Sequence, residues 1–184
     1  LGATVMLSGC GCTEWASQKA GEKIMEKAIE SGTGWKTDID MDKGQFSVKG
    51  EDGETKYSAG DNVSLPDNFP KDVFIYEDAK INMAISSSTE SGGFFVSYVV
   101  SANESDVFSK YKEEMAKNGW KKETETDMGE AGKMIGFGKG ESKTTVSIGL
   151  EDGENNAKKT TVGLNISIGS ASDSSSESAG EETE

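Results

Sequence analysis

The residues best equipped for chemistry stand together near the start of the chain, in Val5-Met6-Leu7-Ser8-Gly9-Cys10-Gly11-Cys12, which holds both cysteines with one glycine between them. A thiolate can act as a nucleophile, ligate a metal or carry a covalent group through its sulfur. Metal ligation is the poorest fit. No histidine occurs in the chain and no third cysteine, so the pair falls short of the four Cys or His ligands of a structural zinc site. An intrachain disulfide across so short a spacing is strained. An oxidised pair, a metal-bound pair and covalent modification of one thiol are the chemistries the two residues leave open.

Other spacings that could do chemistry are weaker. Asp38, Asp40 and Asp42 follow the first positions of an EF-hand loop, but its sixth position is Lys43 rather than glycine and its twelfth is Lys49 rather than glutamate. Strand alternation is expected instead, with the aspartates facing solvent about 6.8 Å apart and Ile39 and Met41 on the other side. No metal site is therefore expected. Gly136, Gly138 and Gly140 in GFGKGE have no following helix to present its N-terminus to a phosphate, so they read as a hairpin turn. A serine nucleophile would lack a histidine base, and G-x-S-x-G does not occur. Paired carboxylates for glycoside hydrolysis are available in number, but nothing singles out a pair. No cofactor and no catalytic residue are expected.

Leu7-Ser8-Gly9-Cys10 resembles the lipobox of bacterial lipoproteins. The resemblance implies that residues 1–9 are the remnant of a signal peptide and that residues 10–13 form a lipid-anchored N-terminus. Small side chains at Ser8 and Gly9 suit an extended chain in a peptidase cleft, and the Cys10 sulfur would carry the diacylglycerol. Two acyl chains give stable attachment where one, such as a single palmitate, is marginal. Cys12 lacks the upstream pattern. The implied location is the extracytoplasmic face of the cell membrane, within the cell envelope.

Composition agrees with a water-facing body. Of 184 residues, 33% are hydrophobic, and 33 acidic side chains against 19 lysines leave a net charge of −14. Such a field repels phosphate backbones, so no nucleic acid partner is expected. The absence of arginine also removes the bidentate phosphate clamp.

The elements that must position these residues read as α+β: an antiparallel sheet with one packed amphipathic helix, in the order β-β-α-β-β-β-β, preceded by a small α-β-β-β unit. Ala16, Ala20, Ile24 and Ala28, with Met25 and Ile29 beside them, recur at helical spacing until Ser31-Gly32-Thr33-Gly34. Ile39, Met41, Phe46, Val48 and Tyr57 then mark three short strands; the unit spans 14–58. The main body spans 59–169 and opens with Leu65, Phe69, Val73 and Ile75 anchoring a segment that holds the only two prolines, Pro66 and Pro70. A hairpin follows over Ile81–Ile85 and Phe94–Val100. Asn103 and Asp106 suggest a capping box, and Val107, Phe108, Tyr111 and Met115 form a helix stripe that ends at Asn118-Gly119, with Trp120 folding back. The charged run from Lys121 to Met128 reads as a protected edge, while Val146, Ile148, Leu150, Val162, Leu164, Ile166 and Ile168 are expected to face inward. The three tryptophans are expected to pack. Residues 170–184 contain no large apolar side chain and read as a disordered acidic tail.

The run LPDNFPKDVFIY, the hairpin, the amphipathic helix and NGW together resemble small envelope lipoproteins of unknown function from Gram-positive and related bacteria, over residues 14–168. The expectation is a lipid-anchored, noncatalytic binding or envelope-associated module, monomeric, held at the membrane through lipid on Cys10, its protein partner and ligand unspecified. The alternatives are a carboxylate-dependent hydrolase or carbohydrate-active enzyme, and a structural accessory of a transporter or secretion complex.

Overall fold

A computed structural model describes residues 12–61, 63–89, 92–152 and 158–169, with the backbone alone for 12–17 and 152. Their elements are α1 (Cys12–Thr33), β1 (Lys36–Asp40), β2 (Gln45–Gly50), β3 (Gly53–Ala59), β4 (Lys80–Ser87), β5 (Gly93–Val100), α2 (Glu104–Lys117), β6 (Lys121–Asp127), β7 (Lys133–Lys139), β8 (Ser142–Asp152) and β9 (Lys158–Ser167). A single 3-10 turn at Gly129–Ala131 joins β6 to β7. The architecture is α+β.

Each local choice has a visible cause. Asn103 starts α2 by accepting the Asp106 N–H at 3.0 Å, and its amide also donates to the Asp106 carboxylate at 2.6 Å. The helix stops where Gly119 takes φ 84°, and the Trp120 N–H returns to the Met115 carbonyl at 2.9 Å. Trp120 is buried and donates its indole N–H to the Asp72 carbonyl at 3.1 Å. Gly44 closes the β1–β2 hairpin at φ 61°, where a Cβ would collide with the Ala59 carbonyl oxygen.

All nine strands join one antiparallel sheet in the order β1-β2-β3-β4-β5-β9-β8-β7-β6. The chain makes two meanders, β1 to β5 and β6 to β9, and the pairing of β5 with β9 fuses them. Along β5, Phe94, Val96, Tyr98 and Val100 are buried, whereas Phe95, Ser97 and Val99 on the opposite face are half-buried. The buried side packs against Val107, Tyr111 and Met115 of α2 and continues through Val162, Leu164 and Ile166 of β9, Val146 and Ile148 of β8, and Ile135 and Phe137 of β7. Residues 65–76 lie over the same core, with Phe69 edge-on to Phe94 at 5.5 Å and Phe74 edge-on to Tyr111 at 5.3 Å. Every residue of β6, at one end of the sheet, is exposed.

The first hundred residues divide unequally in packing. No buried apolar side chain of this core comes from α1, β1, β2 or β3 among the described residues. These elements nevertheless continue the same sheet, since β3 pairs with β4 from Thr55–Ser87 to Ala59–Met83.

Several expected core positions are corrected. Ile24 and Met25 point into solvent at 69% and 47% exposure, because the face of α1 turned toward the sheet is its glutamate face. Leu150, near the end of β8, and Ile168, just past the end of β9, are exposed rather than inward. Met41 has left β1 for the turn and is exposed, and Trp35 is half in solvent beside Gly50 instead of packed in the core.

Candidate functional site

Beyond the edge of α2 the inner face of the sheet changes character. Register carries the inner side from Val96 to Ala84 on β4, to Ser58 on β3 and to Gln45 on β2, and the next row runs from Phe94 through Ser86 and Lys56 to Ser47 and Asp38. Apolar side chains on β5 thus give way to hydroxyls, an amide and charges on β1 to β3. The segment Ser64-Leu65-Pro66-Asp67-Asn68 stands over this face and closes one wall, leaving an open groove of about 740 Å³. Its floor carries Ser47, Ser58, Ser86 and Gln45, with Lys56 and Glu54 paired at 3.7 Å at one end. Such a lining can donate to and accept from a polar ligand at many points. Leu65 and Pro66 supply the apolar part of the wall.

A second polar cluster sits on the sheet edge. The Lys19 ammonium lies 2.9 Å from the Glu22 carboxylate, 3.4 Å from that of Asp40 and 3.3 Å from that of Asp42. The three carboxylates approach one another within 4.8 Å, close enough to share a cation, and Lys19 is the cation among them. The hydrogen bond to Glu22, followed by those to Asp42 and Asp40, raises the Lys19 pKa well above the usual lysine range. The same ammonium, then the Met41 backbone N–H, lowers that of Glu22. Asp40 is lowered chiefly by Lys43, whose ammonium lies 3.0 Å away.

The expected row of three aspartates is therefore corrected. β1 ends at Asp40, and the turn over residues 41–44 swings Asp42 back toward Asp40 and Lys19, while Asp38 stays on the strand and faces the groove. Glu22 and Lys19 were not singled out from the sequence. Their signal was the spacing of Glu22, Glu26 and Glu30 on a helix immediately preceding an edge strand.

The glycine-rich stretch forms strand and turn: Gly136 and Gly138 lie in β7, and Gly140 turns the β7–β8 hairpin at φ 61°. One buried polar pair lies in the core. The Tyr98 and Tyr111 hydroxyls hydrogen-bond to each other, and burial raises both pKa values, that of Tyr111 most strongly. Neither opens onto the groove, so they hold α2 on β5 rather than form a reactive centre. Leu7, Ser8, Gly9 and Cys10 lie outside the described residues, as does the acidic tail. Among the described residues, no helix is long and apolar enough to cross a membrane.

No curated protein and no solved structure matches the chain. Residues 81–175, just over half of its length and beginning at the second residue of β4, match the family model described as START domain-like, and the chain belongs to that family.

Proposed function

We propose that this is a lipid-anchored extracytoplasmic protein whose START domain-like body works as a noncatalytic binding module. The observation that carries the binding role is the groove: a pre-formed concavity of about 740 Å³ on the inner sheet face, rich in hydrogen-bonding side chains. A START domain-like body is a ligand-binding type of fold, which supports the same reading. The groove favours a polar ligand over an apolar one, because burying Ser47, Ser58, Ser86 and Gln45 against hydrocarbon would strip them of water without replacement. In this reading the β-β-α-β-β-β-β portion is the body proper, and α1 with β1 to β3 is a unit added in front of it that builds one side of the groove. That division is supported by the family match beginning at residue 81 and by the lack of buried apolar contributions from the leading unit.

The anchoring part rests on Leu7-Ser8-Gly9-Cys10. Expressed with a complete signal peptide, the Cys10→Ala protein should leave the membrane fraction or persist as precursor, and Cys12→Ala should behave as wild type. Equal fatty-acid labelling of both variants would refute it. The groove is tested by Ser58→Trp together with Ser86→Trp, which fill the floor. Loss of binding to extracts of envelope polysaccharide and peptide, with the fold retained by circular dichroism, supports the binding role. Unchanged capture by both variants counts against it.

A further inference from the structure

The side of α1 turned away from the sheet carries a cationic and apolar stripe. Between Gln18 and Thr33 the helix holds three acids, Glu22, Glu26 and Glu30, and all three are drawn to β1, where they accept the N–H groups of Met41, Ile39 and Thr37. Glutamates four residues apart share one helix face, so the rest of the circumference over these residues is left without a negative charge. Ala20, Ile24 and Ala28, again four apart, line the outward side, and all three are exposed, Ile24 at 69%. Exposed Lys23 and Lys27 flank the row on one side and exposed Met25 borders it on the other. A lysine three residues before a glutamate ordinarily pairs with it, which would join Lys23 to Glu26 and Lys27 to Glu30. Those carboxylates are held by the strand instead, and neither ammonium forms an ion pair among the described residues. On a body of net charge −14, this face has the opposite sign.

We infer, resting on the lipid anchor proposed at Cys10, that this stripe meets an anionic phospholipid bilayer, lays α1 along it and so fixes which side of the body faces the lipid. Three points select a bilayer. Gly11 alone separates Cys10 from Cys12, the first residue of α1, so two extended steps of the chain, about 7 Å, are the longest reach between the anchored residue and the helix. A helix held that close either stands on the surface or lies on it, and standing would carry Ile24, twelve residues along, about 18 Å away. Charge decides between the two. Lying down presents Lys23 and Lys27 to the lipid phosphates with Ile24 beside them at headgroup depth, the arrangement of an interfacial helix, while the acidic body behind is repelled. The width of the stripe is the third point. One isoleucine between two alanines is far too small for the several hundred Å² that each partner of a specific protein interface buries, whereas a fluid headgroup layer needs no matching pocket. The two acyl chains already supply attachment, so the stripe supplies orientation.

The test couples the full chain carrying Cys12→Ser, through its Cys10 thiol, to a maleimide-bearing phospholipid in vesicles. Its outcome is then independent of whether a cell lipidates Cys10, which the membrane fractionation of Cys10→Ala judges separately. Acylation of lysines by a water-soluble succinimidyl ester, read by mass spectrometry, reports the face that meets lipid. On vesicles of phosphatidylglycerol and phosphatidylcholine, Lys23 and Lys27 should react at least about fivefold more slowly than in the uncoupled chain, the factor that corresponds to the pull of an anionic surface on one lysine. Lys117 and Lys143, exposed on α2 and β8, should keep their free rates. The protection should fade on phosphatidylcholine alone and in 1 M salt, where the Debye length is about 3 Å. Ile24→Glu, at an exposed helix position, should abolish it with an unchanged circular dichroism spectrum. Equal reactivity of all four lysines on the anionic vesicles overturns the inference, as does protection that survives both salt and Ile24→Glu. Protection in the concentrated uncoupled chain without vesicles would make a second copy the occupant and overturns it too.

Discussion

The Glu26 carboxylate on α1 accepts the backbone N–H of Ile39 on β1 at 2.9 Å, in the position where a tenth strand would otherwise bond. Glu22 does the same for Met41 at 2.9 Å and Glu30 for Thr37 at 3.3 Å. The match is metric: four helical residues rise about 6 Å, and alternate strand residues are about 6.8 Å apart, so glutamates at every fourth position meet every second N–H when helix and strand run antiparallel. An edge strand left with free N–H groups is a template for unwanted pairing, and here a helix covers it with side chains instead of backbone.

Removing that cover should loosen the edge locally. Glu26→Ala is expected to cost about 1 kcal/mol, the worth of one hydrogen bond. The Glu22→Ala, Glu26→Ala, Glu30→Ala protein, which lacks the three acceptor oxygens, should show faster amide exchange at Thr37, Ile39 and Met41 with β5 and β9 unaffected. Uniform acceleration across the sheet would show that α1 supports the whole body rather than its edge.

Acid should act on the same contact. The Glu22 pKa is lowered in the folded chain by Lys19 and the Met41 N–H, so its contribution is fully present above the usual glutamate value and is lost as pH falls through the folded value. Exchange at Met41 should therefore rise on acidification before the core opens, and Glu22→Gln should abolish that pH dependence.

Lys19 holds three carboxylates together, so Lys19→Ala should destabilise the α1–β1 contact through repulsion among Glu22, Asp40 and Asp42. Calcium should partly restore the variant's thermal midpoint and leave the wild type unchanged in 0.15 M salt, where diffuse attraction is screened beyond about 8 Å. A saturable calorimetric signal from the wild type would mean that the ammonium is displaced.

The tyrosine pair should behave as a unit. Tyr98→Phe or Tyr111→Phe each leaves a buried hydroxyl without its partner and should cost about 1–3 kcal/mol, while the double variant should cost less than the sum. Strictly additive losses in urea denaturation would deny the coupling. Because burial raises both values, the pair favours the folded state fully below the ordinary tyrosine range, and that stability is lost as pH rises through the folded values.

At the opposite edge, β6 relies on Lys121, Lys122, Glu123 and Glu125 in solvent. Replacing Lys121, Glu123 and Glu125 by valine should produce aggregation, seen by light scattering, with little change in the denaturation midpoint. Soluble protein after prolonged concentration would show that twist alone guards this edge.

How much of this was legible in the chain depends on where neighbours decide the outcome. The α2 stripe, its Asn103 cap and the buried alternation of β5 and β9 are local patterns, and they survive because α2 and the sheet bury one face each. The helix α1 misleads because Ala20, Ile24 and Ala28 have the right period for a core face while the adjacent edge strand offers N–H groups that only the glutamates can satisfy. The groove was invisible for another reason: Ser47, Ser58 and Ser86 are distant in sequence and meet only through register. The same holds for Ile39, Phe46, Tyr57, Ile85 and Phe95, paired strand to strand from β1 to β5, each of which reads alone as an ordinary strand residue.

The fusion of two meanders through β5 and β9 leaves the folding chain one long-range encounter to make. Each meander can form from neighbouring hairpins, but the central seam requires a strand near residue 160 to find one near residue 97. Closing so long a loop is slow, so assembly should be limited by that one encounter. Until β9 has emerged, the inner side of β5 has no neighbour on its far flank and Tyr98 and Phe94 stand open. A chain that is threaded from its N-terminus would thus pass through a stage in which its most apolar strand is the exposed margin of an unfinished sheet, and any factor attending its maturation would act in that interval.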